Sequence, residues 1–455
     1  MRISVHAVLG LGLALAVASG SGPLNAQSPS PRLVVPYTEL TLANGLHVIL
    51  HRDTSAPVVA VNVWYHVGSG SEKPGRTGFA HLFEHLMFEG SKHEPEGAFD
   101  TWLEGAGSDN NGSTTTDRTN YYIDGPASAL ELMLFLESDR MAYLLDTMTP
   151  ERVNGQRDVV KNERRQNYEN RPYGMPELEL DSMLFPQGHP YSWSTIGSME
   201  DLSAASHEDV QQFFRTFYAP NNASLVIAGD IDVDATKALV QKWFGEVPRG
   251  TPVPPVAPPA AMLTGVTRKT VTDKVQLPRL YLGWLTPATY RPGDAALDVV
   301  ASVLSGGKNS RLYKRLVYDL QIAQDVTAYQ QSQGLGSVFM IQATARPGKS
   351  LDEIQKVVDE EIERLASTPP EGRELERVRN SIEATFLRRA ERVGGFYGKA
   401  DQMNAYYTNT GTPDFFEEDL ARYRALDASD ISSAVGAFLP RDRRVELVVM
   451  PEEKR

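Results

Sequence analysis

The sequence predicts an α+β protein built from two related domains, and three observations carry that expectation. A helix, a Pro-containing turn and a strand recur: Asp209–Phe217, Pro220 and Leu225–Ile227 early, then Asp430–Phe438, Pro440 and Val445–Val449 late. The two copies open 221 residues apart with one residue of slip, a period of about 220 residues. Residues 248–260 (PRGTPVPPVAPPA) hold prolines at 248, 252, 254, 255, 258 and 259, the composition of a stiff, extended linker. Finally, 455 residues exceed what one hydrophobic core organises. The expected division is a domain over 33–247, the linker, and a related domain over 261–455.

The first 26 residues have the form of a secretory signal. Arg2 supplies a positive start, Val8–Val17 a short apolar core, and Ala26 a small residue before Gln27. The expected destination is the periplasm. No later stretch approaches the 18 apolar residues of a membrane span.

Thr38–Ala43 and Leu46–Leu50 alternate apolar and polar residues around Asn44-Gly45, which predicts a hairpin with a type I′ turn. Val58–Val67 predicts a longer strand. A loop over 68–75 leads into a helix ending near Gly90. Gly105–Gly112 is Gly- and Asn-rich and predicts a turn. Ser113–Ile123 predicts a polar edge strand able to pair with an extended peptide, and Asn111, Ser113, Thr114 and Thr115 are its candidate substrate contacts. Ser128–Leu145 has the amphipathic pattern of a helix. Pro150 suits the first turn of another, which runs past Glu163.

The chemistry gathers in the first of these helices. His81 and His85 are four apart, so both imidazoles leave one helical face. Two imidazoles make half of a tetrahedral zinc site, and Glu84 lies where it can reach a water without ligating the metal. His-x-x-Glu-His is the inverted zincin pattern. Leu82, Phe83, Leu86, Met87 and Phe88 surround it, so the helix is buried, and unpartnered imidazoles would be costly there. The site needs another N or O donor. Glu163 is the first choice, mid-helix and on the same face as Gln156; Glu151 and Glu169, nearer the ends, are alternatives.

Composition narrows the function further. The net charge of −13 argues against nucleic-acid binding. There is no cysteine, which excludes thiolate ligands and a Cys nucleophile. All nine histidines lie at or before His207, so the second half holds no copy of the histidine site.

Gly78–Gly90, the run Asn111–Tyr121 (NGSTTTDRTNY) and Arg157–Arg165 (RDVVKNERR) together resemble the M16 (pitrilysin-like) zinc peptidases, including their short bacterial members and mitochondrial processing peptidase. The resemblance spans essentially the whole mature chain. It implies one Zn²⁺ per chain on His81, His85 and Glu163, with Glu84 as general base in a metalloendopeptidase acting on peptides or unfolded polypeptide. It also implies two similar α+β domains forming half of a clam-shell chamber. The family's second Glu, one heptad before the ligand, is Gln156 here, which keeps hydrogen-bonding capacity without charge. Active single-chain members carry an Arg and a Tyr, seven apart, after a Ser-Arg-Leu segment. Aligned on Ser310-Arg311-Leu312, those positions are Val317 and Gln324, with Arg311, Arg315 and Tyr318 nearby but off register. The resemblance therefore implies the zinc-bearing subunit of a heterodimer whose partner, a second M16-like chain, supplies the pair. The alternative is a non-catalytic M16-like structural or binding subunit; the intact motif argues against it.

Overall fold

A computed structural model describes residues 32–452, and from Val34 onward they form one unit. The expected signal, 1–26, lies outside the described residues. Two sheets organise the chain. The first contains β1 (Thr38–Thr41), β2 (His47–Arg52), β3 (Val58–Tyr65), β4 (Asp109–Thr114), β5 (Thr119–Pro126) and β6 (Ala223–Gly229), in the order β1-β2-β6-β3-β5-β4. The second contains β7 (Thr267–Asp273), β8 (Arg279–Thr286), β9 (Ala323–Gln331), β10 (Ser337–Ala345) and β11 (Val445–Pro451), in the order β7-β11-β8-β10-β9. In each sheet the last strand in sequence lies between a parallel and an antiparallel neighbour: β6 between β2 and β3, β11 between β7 and β8. The order β2-β6-β3-β5-β4 thus recurs as β7-β11-β8-β10-β9, and the two halves are related α+β units.

Eight helices accompany the first sheet in sequence: α1 (Phe79–Leu86), α2 (Ala98–Gly105), α3 (Leu130–Thr147), α4 (Pro150–Arg164), α5 (Gly174–Leu184), α6 (Met199–Ala204), α7 (His207–Phe217) and α8 (Val233–Phe244). Six follow: α9 (Asp294–Ser305), α10 (Leu351–Ser367), α11 (Gly372–Glu391), α12 (Lys399–Thr410), α13 (Phe416–Arg424) and α14 (Ala428–Phe438). The recurring Asp209 and Asp430 both close capping boxes, with Ser206 at the start of α7 and Asp427 at the start of α14. Such a box satisfies backbone donors that the first helical turn leaves unpaired, so the motif marks the same junction twice.

The sheets do not keep to their own helices. α5, from the first half, lies on β7, β8 and β11, where Leu180, Leu184 and Phe185 pack with Tyr281, Met340, Val445 and Leu447. α12, from the second half, lies on β3 and β6. Residues 248–260 carry neither helix nor strand and are mostly exposed.

Several expected elements differ. The β1–β2 turn is not type I′. Thr41 pairs with His47 across a five-residue loop in which Gly45 has φ +94° and Asn44 keeps negative φ. The Asn44 amide is committed elsewhere, donating to the carbonyls of Phe244 (2.8 Å) and Val247 (2.9 Å). The expected single strand over 113–123 is a hairpin: β4 begins within the supposed turn, and residues 115–118 reverse the chain. β4 is the sheet edge, whereas β5, with Thr119, Asn120 and Tyr121 buried, is interior. The expected strand Val58–Val67 ends at Tyr65, and α1 ends at Leu86 rather than near Gly90. Among the described residues no helix is long and apolar enough to cross a membrane.

Candidate metal centre

Helix α1 is set between the first sheet and α4, with Phe79, Ala80, Leu82, Phe83 and Leu86 buried. Its start is held by a loop carboxylate. Glu72 accepts from the backbone N–H of Gly78 (3.0 Å) and Ala80 (2.8 Å), occupying donors the first turn leaves free. Helix α4 starts at Pro150, capped by the Thr149 side chain, and carries Glu163 in its last turn.

The two helices bring three expected ligands together. Glu163 Oε2 lies 3.5 Å from His81 Nε2 and 3.3 Å from His85 Nε2. Donor atoms of all three lie within 4.8 Å of one another, and they form the metal-competent group among the described residues. Ligands about 2.0–2.1 Å from zinc in a tetrahedron lie about 3.3–3.4 Å apart. The two His–Glu separations match that spacing, so the donor set fits such an ion. Glu151 and Glu169 are not part of the cluster. Gln156 donates to Glu89 Oε1 (2.6 Å) and also hydrogen-bonds His85, so it helps orient that imidazole.

The electrostatics of the cluster are strongly perturbed. Burial pulls His81 down to about 4, despite the Glu163 carboxylate. At His85 burial acts in the same sense, but the hydrogen-bonded Glu163 carboxylate outweighs it and the pKa rises. That hydrogen bond from His85 is also the main reason Glu163 falls below its ordinary value. His81 Nδ1 is buried without a hydrogen-bond partner. The Glu84 carboxylate stands within electrostatic reach of His85 and Glu163 and is held against β4, where its Oε2 accepts from Thr114 Oγ1 at 2.5 Å. Burial raises its pKa, with the Thr114 bond opposing.

The strand behind Glu84 explains itself residue by residue. A Cβ at Gly112 would lie 3.2 Å from Glu84 Cγ and 3.1 Å from Tyr121 Cδ1, tighter than ordinary contact, so a side chain there would press on the base. Gly112 and Thr114 share the face toward Glu84; alternation sends Asn111 and Ser113 to the other. Ser113 Oγ donates to Asn120 Oδ1 (2.7 Å), and Thr115 Oγ1 accepts from the backbone N–H of Asp117 and Arg118 (both 3.2 Å). Asn111 Oδ1 accepts from the N–H of Gly112 (2.8 Å). These four side chains are engaged within the protein, and the free feature of β4 is its unpaired backbone edge.

Sequence reasoning missed a second feature. A cavity of about 150 Å³ between α5 and the second sheet is lined by Glu177, Asp181, Tyr281, Tyr329, Gln331 and Gln333. Burial pushes Asp181 up to about 7. Tyr168 lies within electrostatic reach of Glu177, Asp181 and Glu163 alike. The one available signal was Glu177 and Asp181 standing four apart on a single helix.

In the second half, Arg311 forms a bidentate pair with Glu374 (3.0 and 2.8 Å), and Arg315 pairs with Glu360 and with Glu361 (3.0 Å).

Known proteins share this architecture. Residues 47–184 match the family described as Insulinase (Peptidase family M16), and residues 204–382 match the Peptidase M16 inactive domain. The chain is 30% identical over 375 residues to the Zinc protease PqqE of Helicobacter pylori, covering 81% of this chain and 82% of that one. It is 25% identical over 428 residues to the probable mitochondrial-processing peptidase subunit beta of Arabidopsis thaliana, covering 90% and 77%. A solved protease from Helicobacter pylori superposes with TM-score 0.85 at 26% identity, covering 92% of this chain and 100% of that one. The periplasmic protease PqqL from Escherichia coli shares the fold, with TM-score 0.72 at 17% identity over 92% of this chain and 48% of that one.

Proposed function

The chain belongs to the M16 peptidase family, and from that premise we propose that it is a zinc-dependent endopeptidase with Glu84 as general base. The observation that carries this reading is the convergence of His81, His85 and Glu163 on one point, with the Glu84 carboxylate beside it and held by Thr114. Zinc on those three ligands supplies Lewis acidity, polarising a peptide carbonyl and bringing water toward ionisation near neutral pH. Glu84 takes the proton of the attacking water and returns it to the leaving amine. Its raised pKa suits both roles, because a stronger base accepts the proton and a carboxylic acid then donates it. The free edge of β4 pairs with the backbone of an extended substrate, as in strand addition. The acidic cavity of Glu177 and Asp181 favours substrates carrying a Lys or Arg side chain near the scissile bond.

The chain is exported to the periplasm by residues 1–26 and forms one half of a two-chain clam-shell. The commitment of Arg311 and Arg315 to carboxylates supports the second point, since neither guanidinium is free for substrate. A second M16-like subunit supplies the Arg and Tyr.

The test is hydrolysis of quenched-fluorescence peptides with bound zinc quantified, for the wild-type chain and E84Q, each alone and with a candidate Arg/Tyr-bearing partner. One zinc per chain in both proteins, with cleavage by wild type only, is the expected result. Absence of bound zinc, or equal cleavage by E84Q, overturns the reading.

A further inference from the structure

The second half lacks histidine, yet it grips the β4–β5 hairpin at two places. On one side is α12. Asp401, 5% exposed, accepts through Oδ1 from Trp64 Nε1 (2.8 Å), Asn120 Nδ2 (2.7 Å) and Asn62 Nδ2 (3.5 Å), and through Oδ2 from the N–H of Tyr397 (2.8 Å). Asn120, fully buried on β5, passes the contact on: its Oδ1 accepts from Ser113 Oγ (2.7 Å) and Arg118 Nη1 (2.9 Å). Arg118 Nη1 in turn donates to the Ser113 carbonyl (2.8 Å), with its guanidinium 5.1 Å from the Trp64 ring centre. Ser113 precedes Thr114, the residue bonded to Glu84.

On the other side is the tip of the β9–β10 hairpin. Gln333 Nε2 donates to Thr116 Oγ1 (3.1 Å), and the N–H of Gly334 donates to Asp117 Oδ2 (3.0 Å). Tyr191 joins the pair, its hydroxyl bonded to Asp117 and accepting from the N–H of Leu335 (3.0 Å).

An edge strand is paired on one side only and is easily displaced. β4 is such a strand, and it carries the hydroxyl that orients the base. A docking face needed for stability alone is served by apolar packing; a buried carboxylate meeting four donors costs desolvation and returns directionality. Here the direction runs from α12 through Asn120 to β4.

We propose that Asp401 and Gln333 are positioning residues through which the metal-free half fixes the β4–β5 hairpin, and with it Thr114 and the Glu84 carboxylate. The kinetic consequence rests on Glu84 being the general base; the tether itself does not.

Two readouts separate these parts in the zinc-loaded full chain, assayed with the partner if cleavage requires it. Amide hydrogen exchange over 109–118 reads the tether. D401A is expected to exchange there at least about tenfold faster than wild type, and D401N, which keeps one acceptor oxygen, less so. A mutant cycle with T114V reads the consequence. D401A and T114V are each expected to lower kcat about tenfold with KM changed less than threefold, and the double mutant to be no slower than the slower single mutant. If D401A does not fold, Q333A, which cuts the other grip at the hairpin tip, enters the same exchange measurement and the same cycle. Unchanged exchange in the folded variant overturns the tether. Faster exchange with kcat losses that multiply to about a hundredfold overturns positioning through Thr114. Equal cleavage by E84Q and wild type instead removes the general-base reading, while the exchange result still decides the tether.

Discussion

At the residue scale, the two glutamates of the centre answer to different measurements. Glu163 lies between two imidazole nitrogens, at a separation matching ligands of one ion. Glu84 is not one of the three donors and is held by Thr114. E163Q replaces a charged oxygen donor by a neutral amide and is expected to lose zinc and activity together. E84Q is expected to keep zinc and lose about 10²–10⁴-fold in kcat, the range of a removed general base. Zinc quantification beside kcat separates the two, and zinc loss in E84Q would refute the division of roles. His81, Glu84 and His85 were legible in sequence because their geometry is local: one helix, one face, four residues. Thr114 stands in the sequence only as a candidate substrate contact; the fold adds that its hydroxyl meets a side chain thirty residues earlier.

At the element scale, α5 and the end of β3 each carry a test. α5 brings Glu177 and Asp181 to the lining of the cavity against the second sheet. E177Q with D181N is expected to reduce kcat/KM about tenfold for peptides with Lys or Arg near the cleavage point and to leave neutral peptides within about twofold, one charge pair in a partly buried site being worth about 1–2 kcal/mol. A uniform loss across both peptide sets would remove the cavity from specificity. His66, just after β3, is held down to about 4 by burial, with His47 adding to the effect. Its folded pKa lies below the unfolded value of about 6.5, so the unfolded chain takes up the proton first. Stability from this group is complete above about pH 6.5 and falls as pH drops toward 4. The loss is at most about 3 kcal/mol at about 1.4 kcal/mol per pH unit, and partial exposure of His66 reduces it. H66N is expected to flatten the pH dependence of the urea midpoint between pH 6.5 and 4.5 relative to wild type. Metal loss on acidification is common to both proteins and cancels in the difference. Elements were legible where the hydrophobic period was clear, as in β3 and α3, and at the recurring helix, Pro-containing turn and strand of α7–β6 and α14–β11. β4 was not, because Asp109, Asn110, Asn111 and Gly112 are turn formers by local preference. Tertiary demands override that preference: the strand pairs with the buried β5 and places a glycine where Glu84 approaches.

At the scale of the whole molecule, the repeat was legible because a helix, a Pro-containing turn and a strand recur, whereas the exchange of α5 and α12 between the halves left no local mark in the sequence. That exchange gives the histidine-free half structural duties toward the half that holds the candidate metal site, yet on the two-chain reading it does not complete the chemistry. The developing negative charge on a peptide carbonyl needs a donor, and loss of one such donor costs about 10²–10³-fold in kcat. Val317 and Gln324 stand where the resemblance to the family implies an Arg and a Tyr, and the arginines closest in sequence, Arg311 and Arg315, are bound to Glu374, Glu360 and Glu361. Freeing Arg311 would break a bidentate pair whose side chains are 9% and 19% exposed, leaving a partly buried carboxylate unpaired. Neither arginine is therefore a low-cost replacement for the missing donor. The zinc-loaded chain alone is expected to cleave peptides about 10²–10³-fold more slowly than a stoichiometric mixture with an Arg/Tyr-bearing M16-like partner, and the mixture is expected to sediment as a heterodimer. The partner with its Arg replaced by Ala should still sediment with this chain but fail to accelerate it, which distinguishes a missing donor from a merely stabilising subunit. Full activity from the monomeric chain would show that the donor is already present, and the two-chain reading would then be wrong.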